Sequence, residues 1–144
     1  MREILFRGKR KDNGEWVEGY FCRKYFPELP HDRCVIQYKT EYTKEWRPDY
    51  MVAEVIPETV GQYTGLTDKN GKKIFDGDII KHFNHFDEPD KYAVYQVEFD
   101  ERTCKFVGYL HKSWSAQLCK DLENHYEVIG NIHDNPELLV REQQ

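Results

Sequence analysis

The stretch that decides the fold runs from residue 59 to residue 80 and reads TVGQYTGLTDKNGKKIFDGDII. Its first part, Val60–Leu66, is rich in β-branched and aromatic residues, which favours a strand. Asn70 and Gly71 form a pair that tolerates positive φ at both positions, as a type I′ hairpin turn requires. Lys73–Phe75 predicts a short return strand, so we expect the stretch to form a β-hairpin.

A second turn follows directly. Asp76, Gly77 and Asp78 interrupt the apolar pattern, and two isoleucines then start the next strand. Glycine lets the backbone bend sharply where a barrel strand turns a corner. Asp68, Asp76 and Asp78 are interpreted as side chains that hydrogen-bond their own turns, in preference to acid/base carboxylates.

Two ligand-binding motifs resemble this stretch but fail on spacing. A phosphate-binding loop needs a shorter spacing between its glycines and a Ser or Thr after its lysine. Here five residues separate Gly65 from Gly71, and Lys73 follows Lys72. A calcium loop needs regularly spaced Asp or Asn ligands and a closing Glu, which are absent. We therefore expect no cofactor.

Three segments together carry a family resemblance. ETVGQYTGLTDKNGKKIFDGDII at residues 58–80, REILFRGKR at residues 2–10 and YEVIGNIHDNPELL at residues 126–139 closely resemble the YopX family of phage and prophage proteins. The resemblance implies a β-rich fold with an SH3-like barrel and a phage or prophage origin, and it supplies no catalytic residues. The matching motif positions, all interpreted as structural, are Gly61, Tyr63, Gly65, Asp68, Asn70, Gly71, Asp76, Gly77, Asp78, Gly130, Asn131, Asn135 and Pro136.

Composition predicts a cytoplasmic chain, and the family resemblance implies that the cytoplasm is that of a bacterial host. No apolar segment of a signal peptide follows the start, and no run approaches the about 18 apolar residues of a membrane span. The four cysteines show no zinc-site spacing and are expected to be free thiols. The net charge of −5 argues against a surface that grips nucleic acid throughout.

The N-terminal segment predicts a hairpin with a basic tip. Residues 3–7 and 15–23 read as strands, and the turn between them is closed by an Asn-Gly pair. Lys9, Arg10 and Lys11 at the tip are candidate phosphate contacts. This gives the alternative of weak, salt-sensitive nucleic-acid binding.

Two other groups of residues are binding candidates. Trp46 and Arg47 belong to the residue types most enriched in protein-binding hot spots. His82, His85 and Asp87 are weak metal candidates, because ligands so close in sequence rarely give good geometry without another from elsewhere. We therefore predict no metal, and a polar loop between strands at this place.

The predicted fold is mainly β, with an SH3-like barrel, an N-terminal β-hairpin extension and one short amphipathic helix. Residues 1–56 are predicted to form the N-terminal hairpin and strand region, and residues 57–140 the barrel core, together one compact unit. The helix is placed at residues 113–124, where Trp114, Leu118 and Leu122 recur every four residues.

The sequence shows no catalytic constellation. We therefore expect a non-enzymatic binding or assembly module that contacts protein partners or self-associates as a homo-oligomer. The alternatives are weak nucleic-acid binding through the tip at residues 7–11, or a metal-dependent hydrolase or nuclease. Cys104 with His111 is a further nucleophile and base pair that sequence alone does not bring together.

Overall fold

Alternating apolar residues fold most of this chain into strands. The computed structural model describes residues 1–25, 27–40, 50–83, 90–111 and 114–141. The structure is mainly β, with two antiparallel sheets and little helix. The chain divides into two compact units, Met1–Gln62 and Tyr63–Gln144, here called unit 1 and unit 2.

Unit 1 is an antiparallel meander with the strand order β4-β3-β2-β1-β5. Its elements are β1 (Phe6–Lys9), β2 (Trp16–Lys24), β3 (Arg33–Lys39), β4 (Tyr50–Glu54), a 3-10 turn (Pro57–Thr59) and the start of β5 (Gly61–Thr67). An isolated bridge between Arg10 and Val55 brings the two ends of the meander together. The core consists of Val17, Cys34, Ile36, Ala53 and Val55.

Unit 2 contains a β5–β6 pair and a five-stranded sheet with the order β10-β9-β8-β7-β11. Its elements are β6 (Lys73–Phe75), β7 (Asp78–Phe83), β8 (Tyr92–Asp100), β9 (Lys105–His111), β10 (Trp114–Gln117), a 3-10 helix (Lys120–His125), β11 (Tyr126–Asn131) and α1 (Glu137–Arg141). The core consists of Ile74, Ile80, Tyr95, Val97, Leu118 and Tyr126.

The predicted hairpin between β5 and β6 is present, but its turn is not type I′. Gly71 has a φ of 78°, whereas Asn70 is not among the described non-glycine residues with positive φ. The Gly71 amide donates to the Asp68 carbonyl over 2.9 Å, and the Asp68 amide donates to the Lys72 carbonyl over 2.8 Å. This pattern fits a three-residue loop in which one left-handed glycine follows a tight turn.

The helix predicted at residues 113–124 is wrong. Trp114–Gln117 forms β10 and pairs with β9, and a 3-10 helix begins only at Lys120. Cys119 between them is extended, with φ −141° and ψ 154°. The spacing correctly marked Leu118 as an inward residue, because it is 7% exposed, but pairing with β9 overrode helical periodicity. Ser113, the expected cap, lies outside the described residues.

A closed barrel is not found among the described residues, since β10 and β11 end the five-stranded sheet on opposite sides. The SH3-like arrangement predicted for residues 57–140 is therefore not confirmed. The division at residues 56 and 57, and the prediction of one compact unit, stay predictions. Within the described part of the chain, no helix is long and apolar enough to cross a membrane.

Candidate functional site

Asp68 ties the β5–β6 turn to β11. Its side chain is 5% exposed. Oδ1 accepts hydrogen bonds from the amides of Asn70 (2.8 Å) and Lys72 (2.9 Å), while Oδ2 accepts one from the amide of Val128 (3.0 Å). Backbone amides therefore donate to both carboxylate oxygens, and these bonds hold the turn and β11 together.

Asp78 and Gly77 fix the second turn in a similar way. Asp78 is 1% exposed, and its Oδ2 accepts the amide of Phe75 over 2.8 Å. Gly77 has a φ of 91°, its amide donates to Val97, and its carbonyl accepts from Ile132. The turn is thus bonded to Val97 within β8 and to Ile132, the residue directly after β11.

The C-terminal part of the motif closes a loop after β11. A Cβ at Gly130 would lie 2.5 Å from Oδ1 of Asn135, and that oxygen accepts the amide of Asn131 over 3.3 Å. Asn131 Oδ1 in turn accepts the amides of His133 and Asp134. These motif positions therefore shape a tight loop, and Pro136 lies directly before α1.

The remaining motif residues lie along β5. Gly61 pairs with Arg7 of β1, and Tyr63 packs on Phe75 with ring centroids 5.7 Å apart. Gly65 has a φ of 89° where the β5–β6 register shifts. The motif is thus distributed over turns and strand pairs.

The cations of the predicted basic tip are engaged locally. Arg10 forms two hydrogen bonds to Asp12, Nε to Oδ1 over 2.9 Å and Nη2 to Oδ2 over 2.7 Å, and these raise the pKa of the guanidinium. Lys11 Nζ lies 3.0 Å from Oε1 of Glu54. Lys9 Nζ lies 5.6 Å from the centre of the Trp16 ring. Partly neutralised charges offer less to a phosphate backbone, so this geometry gives no support to the nucleic-acid alternative.

His82 is the described member of the predicted metal group, and it packs among aromatic rings. Its ring centroid lies 5.5 Å from Tyr95, 5.3 Å from Tyr126 and 6.1 Å from His125. His85 and Asp87, like Trp46 and Arg47, lie outside the described residues. No group of three or more His, Cys, Asp or Glu side chains suited to a metal occurs within the part of the chain that the structure describes.

Burial, followed by the nearby His125, lowers the pKa of His82 below its ordinary value. The folded state therefore disfavours protonation of His82. The stabilisation that depends on a neutral His82 is complete above the unfolded pKa of about 6.5 and is lost as pH falls through the folded pKa. We expect the urea midpoint of His82→Gln to fall less than that of the wild type between pH 7.5 and pH 5.5. Equal falls in the two proteins would contradict this origin.

Cys104 lies in the turn after β8 with a φ of 54°, and its Sγ is 3.6 Å from the carbonyl oxygen of Glu101. The side chain of His111 lies outside the described part of β9, so the predicted pair stays a prediction.

The structure reveals a surface that sequence reasoning missed. Tyr20, Gln37 and Val52 are cross-strand neighbours on β2, β3 and β4, and Tyr50 lies two residues before Val52. Cross-strand partners, and residues two apart on a strand, share one face of a sheet. We call these four residues the tyrosine–valine face. Tyr20 is 62% exposed, Tyr50 48% and Val52 47%.

The signal for this face was present in the sequence as three consecutive apolar residues, Tyr50-Met51-Val52. A strand buried on one face alternates apolar and polar residues. Because these three do not alternate, at least one apolar side chain had to face away from the core. Met51 lies on the opposite side of β4, beside Tyr38, and is also 52% exposed.

The chain is similar to known proteins in sequence and in fold. A family model described as YopX protein matches residues 5–140. No curated protein matches the chain. The crystal structure of protein EF1440 from Enterococcus faecalis is similar, with 23% identity, a TM-score of 0.59, and coverage of 96% of this chain and 99% of that chain. At this identity the likeness extends to the fold alone.

Proposed function

We propose that this chain, which belongs to the YopX protein family, is a non-enzymatic binding module that contacts another protein through the tyrosine–valine face of unit 1. We place it in the cytoplasm of a bacterium that carries a phage or prophage. The proposal is carried by one observation, the row of exposed Tyr20 and Val52 on either side of Gln37.

Exposed aromatic and apolar side chains in one row are typical of a protein-contact surface. Tyr supplies a large contact area and a hydroxyl at a small entropy cost, and it is enriched in binding hot spots. Large contiguous patches of exposed apolar surface on soluble domains mark interaction sites. Val140, which is 61% exposed, lies on the short helix α1 and not on a strand.

The SH3-like arrangement belongs to this proposal, but in unit 1 and not in residues 57–140. Support comes from the meander β1 to β4, whose ends meet at the bridge between Arg10 and Val55. The Ile56 amide also donates to the Lys9 carbonyl over 2.8 Å. These two contacts bring the residues that follow β1 and β4 together, and a meander that curls in this way is typical of small antiparallel barrels.

The proposed occupant is a different protein and not a second copy. Lys39 lies directly opposite Tyr50 in the β3–β4 register. Arg33 and Lys11 both reach the one carboxylate of Glu54, over 3.1 Å and 3.0 Å. A symmetric dimer would apply the same surface on both sides and so bring the basic side chains Lys39, Arg33 and Lys11 of both copies to one interface. The homo-oligomer prediction therefore needs another surface, and light scattering tests it.

Replacing Val52 with aspartate is expected to weaken partner binding at least about tenfold, because an unpaired carboxylate would be desolvated at the contact. Proteins retained from lysogenic cells by the wild type but lost with the variant are purified, and their affinities are measured by calorimetry. Val140→Asp is the matched control, since it makes the same change at an exposed valine of unit 2. Equal affinity of the purified partner for both variants would overturn the proposal.

A further inference from the structure

The chain contains two Asn-Gly pairs, and each lies in the turn of a hairpin. Asn13 and Gly14 lie between β1 and β2, and Asn70 and Gly71 lie between β5 and β6. The backbone is similar at both turns. The two glycines have φ values of 72° and 78°, and their amides donate to backbone carbonyls over 3.0 Å and 2.9 Å. Both pairs are exposed to solvent, so a difference between them comes from the asparagine side chains.

Hydrogen bonds hold the side chain of Asn13 but not that of Asn70. Oδ1 of Asn13 accepts the Glu15 amide over 2.9 Å, and Nδ2 donates to Oε2 of Glu15 over 3.3 Å. The backbone amide of Asn70 donates to Asp68 over 2.8 Å, but in the ranges that the structure describes no hydrogen bond restrains its side chain. The side-chain carbonyl carbon of Asn70 can therefore turn toward the amide nitrogen of the next residue.

We propose that Asn70 is a site of spontaneous deamidation, with water as the reactant, and that Asn13 is protected from the same reaction. Asparagine before glycine is prone to deamidation, because glycine has no side chain to hinder attack by its amide nitrogen. At Asn13, two hydrogen bonds must open before Cγ can turn toward Gly14. Asn13 is therefore expected to react at least about fivefold more slowly than Asn70.

The reaction exchanges ammonia for water without electron transfer. The amide nitrogen of Gly71 loses its proton to hydroxide and bonds to Cγ of Asn70. The Cγ–Nδ2 bond then breaks, and Nδ2 leaves as ammonia after taking a proton from water. A water molecule opens the resulting cyclic imide at either carbonyl carbon. Opening at one carbon gives aspartate, and opening at the other gives isoaspartate, in which the backbone runs through the former side chain and is longer by a methylene.

Isoaspartate at position 70 is expected to loosen the hold of the turn on β11. The amide of Gly71 donates to the Asp68 carbonyl, and the amide of Lys72 donates to Asp68 Oδ1, each over 2.9 Å. A longer backbone before Gly71 displaces both donors, so the Asp68 carboxylate loses part of what orients it. Oδ2 of the same carboxylate accepts the Val128 amide over 3.0 Å. Deamidation therefore weakens the attachment of β11 as the protein ages.

Peptide mapping by mass spectrometry, after the full chain is aged in mildly alkaline buffer, measures deamidation at both pairs. We expect the peptide with Asn70 to react at least about fivefold faster than the peptide with Asn13. Glu15→Ala removes the acceptor of Asn13 Nδ2, and is expected to speed the reaction at Asn13 and leave Asn70 unchanged. Glu15→Gln keeps an oxygen acceptor and is expected to stay slow. Equal rates at the two pairs would overturn the proposal, and an unchanged Asn13 rate in Glu15→Ala would refute its cause.

Hydrogen exchange at Val128, followed by NMR, tests the effect on β11. The isoaspartyl protein is separated from unreacted protein by chromatography, and its Val128 amide is expected to exchange faster. Asn70→Asp is the matched control, because it carries the new carboxylate without the longer backbone. Its Val128 exchange is expected to stay close to that of the wild type. Unchanged exchange in the isoaspartyl protein, or equal acceleration in Asn70→Asp, would refute the loosening of β11 by the longer backbone.

Discussion

Replacing Gly19 with alanine is expected to destabilise unit 1 by about 3 kcal/mol or more. A Cβ at this position would lie inside contact distance of the Gln37 carbonyl oxygen, 2.9 Å from the Gln37 carbonyl carbon and 2.9 Å from Cγ2 of Ile36. The first two of these atoms belong to the backbone of β3. They have no rotamer to change, so the clash must separate β2 from β3 or distort both strands.

The position of Gly19 in β2 explains this close approach. β2 pairs with β1 through Trp16–Gly19 and with β3 through Tyr20–Lys24. Gly19 is thus the last residue paired with one neighbour before the strand passes to the next. Glycine within a strand marks a sharp bend or a close backbone approach, and here it lets the meander curl toward the bridge between Arg10 and Val55.

Hydrogen exchange measured by mass spectrometry checks this expectation, because it reports β2 and β3 separately from unit 2. Gly14→Ala is the matched control in the same hairpin. Gly14 has a φ of 72°, and a Cβ there meets nothing within 4 Å. The free energy of unfolding of Gly14→Ala is expected to fall by only about 1–2 kcal/mol, because alanine is disfavoured in the left-handed backbone conformation. An equal fall in the free energy of unfolding in the two variants would refute the clash at Gly19.

Local pattern was enough to predict the hairpins at Gly14 and Gly71, but not how the strands meet. The hairpin around Gly71 depends on a few neighbouring residues, so the sequence predicts the hairpin, although not its turn type. The change of partner at Gly19 depends on β1 and β3 together, and β10 formed against a helical spacing because β9 supplies backbone partners. Both are tertiary effects that override local preference.

In the candidate site, too, local pattern predicts the turns but not the contacts between residues distant in sequence. The structural role of Asp68 was expected from its turn, but its bond to Val128 joins residues 60 positions apart. The row from Tyr20 through Gln37 to Val52 depends on the register of two strand pairs, which no single segment encodes. Sequence reasoning chose instead the hairpin cations. The acidic partner of one of them, Lys11, is Glu54, which lies 43 positions away in the chain.

Replacing Asp68 with alanine is expected to lower the free energy of unfolding by about 3 kcal/mol or more, because three backbone donors lose their acceptor. These donors are the amides of Asn70, Lys72 and Val128. Asp68→Asn is expected to fall between the alanine variant and the wild type. The asparagine oxygen can keep the two bonds within the turn, while its amide nitrogen would face the Val128 amide, donor against donor.

Urea unfolding, monitored by circular dichroism, measures the free energy of unfolding of each variant and so ranks them. Asp12→Ala is the matched control, because Asp12 is an exposed aspartate of the other hairpin turn, with both carboxylate oxygens paired to Arg10. Exposed ion pairs of this kind contribute little to the free energy of unfolding, so the control is expected to unfold almost as the wild type does.

Hydrogen exchange at Val128 separates the bond that Asp68 makes to β11 from its bonds within the turn. Faster exchange in both Asp68 variants shows that the carboxylate holds β11. If Val128 stays protected in Asp68→Asn, Oδ2 is not the atom that anchors this strand.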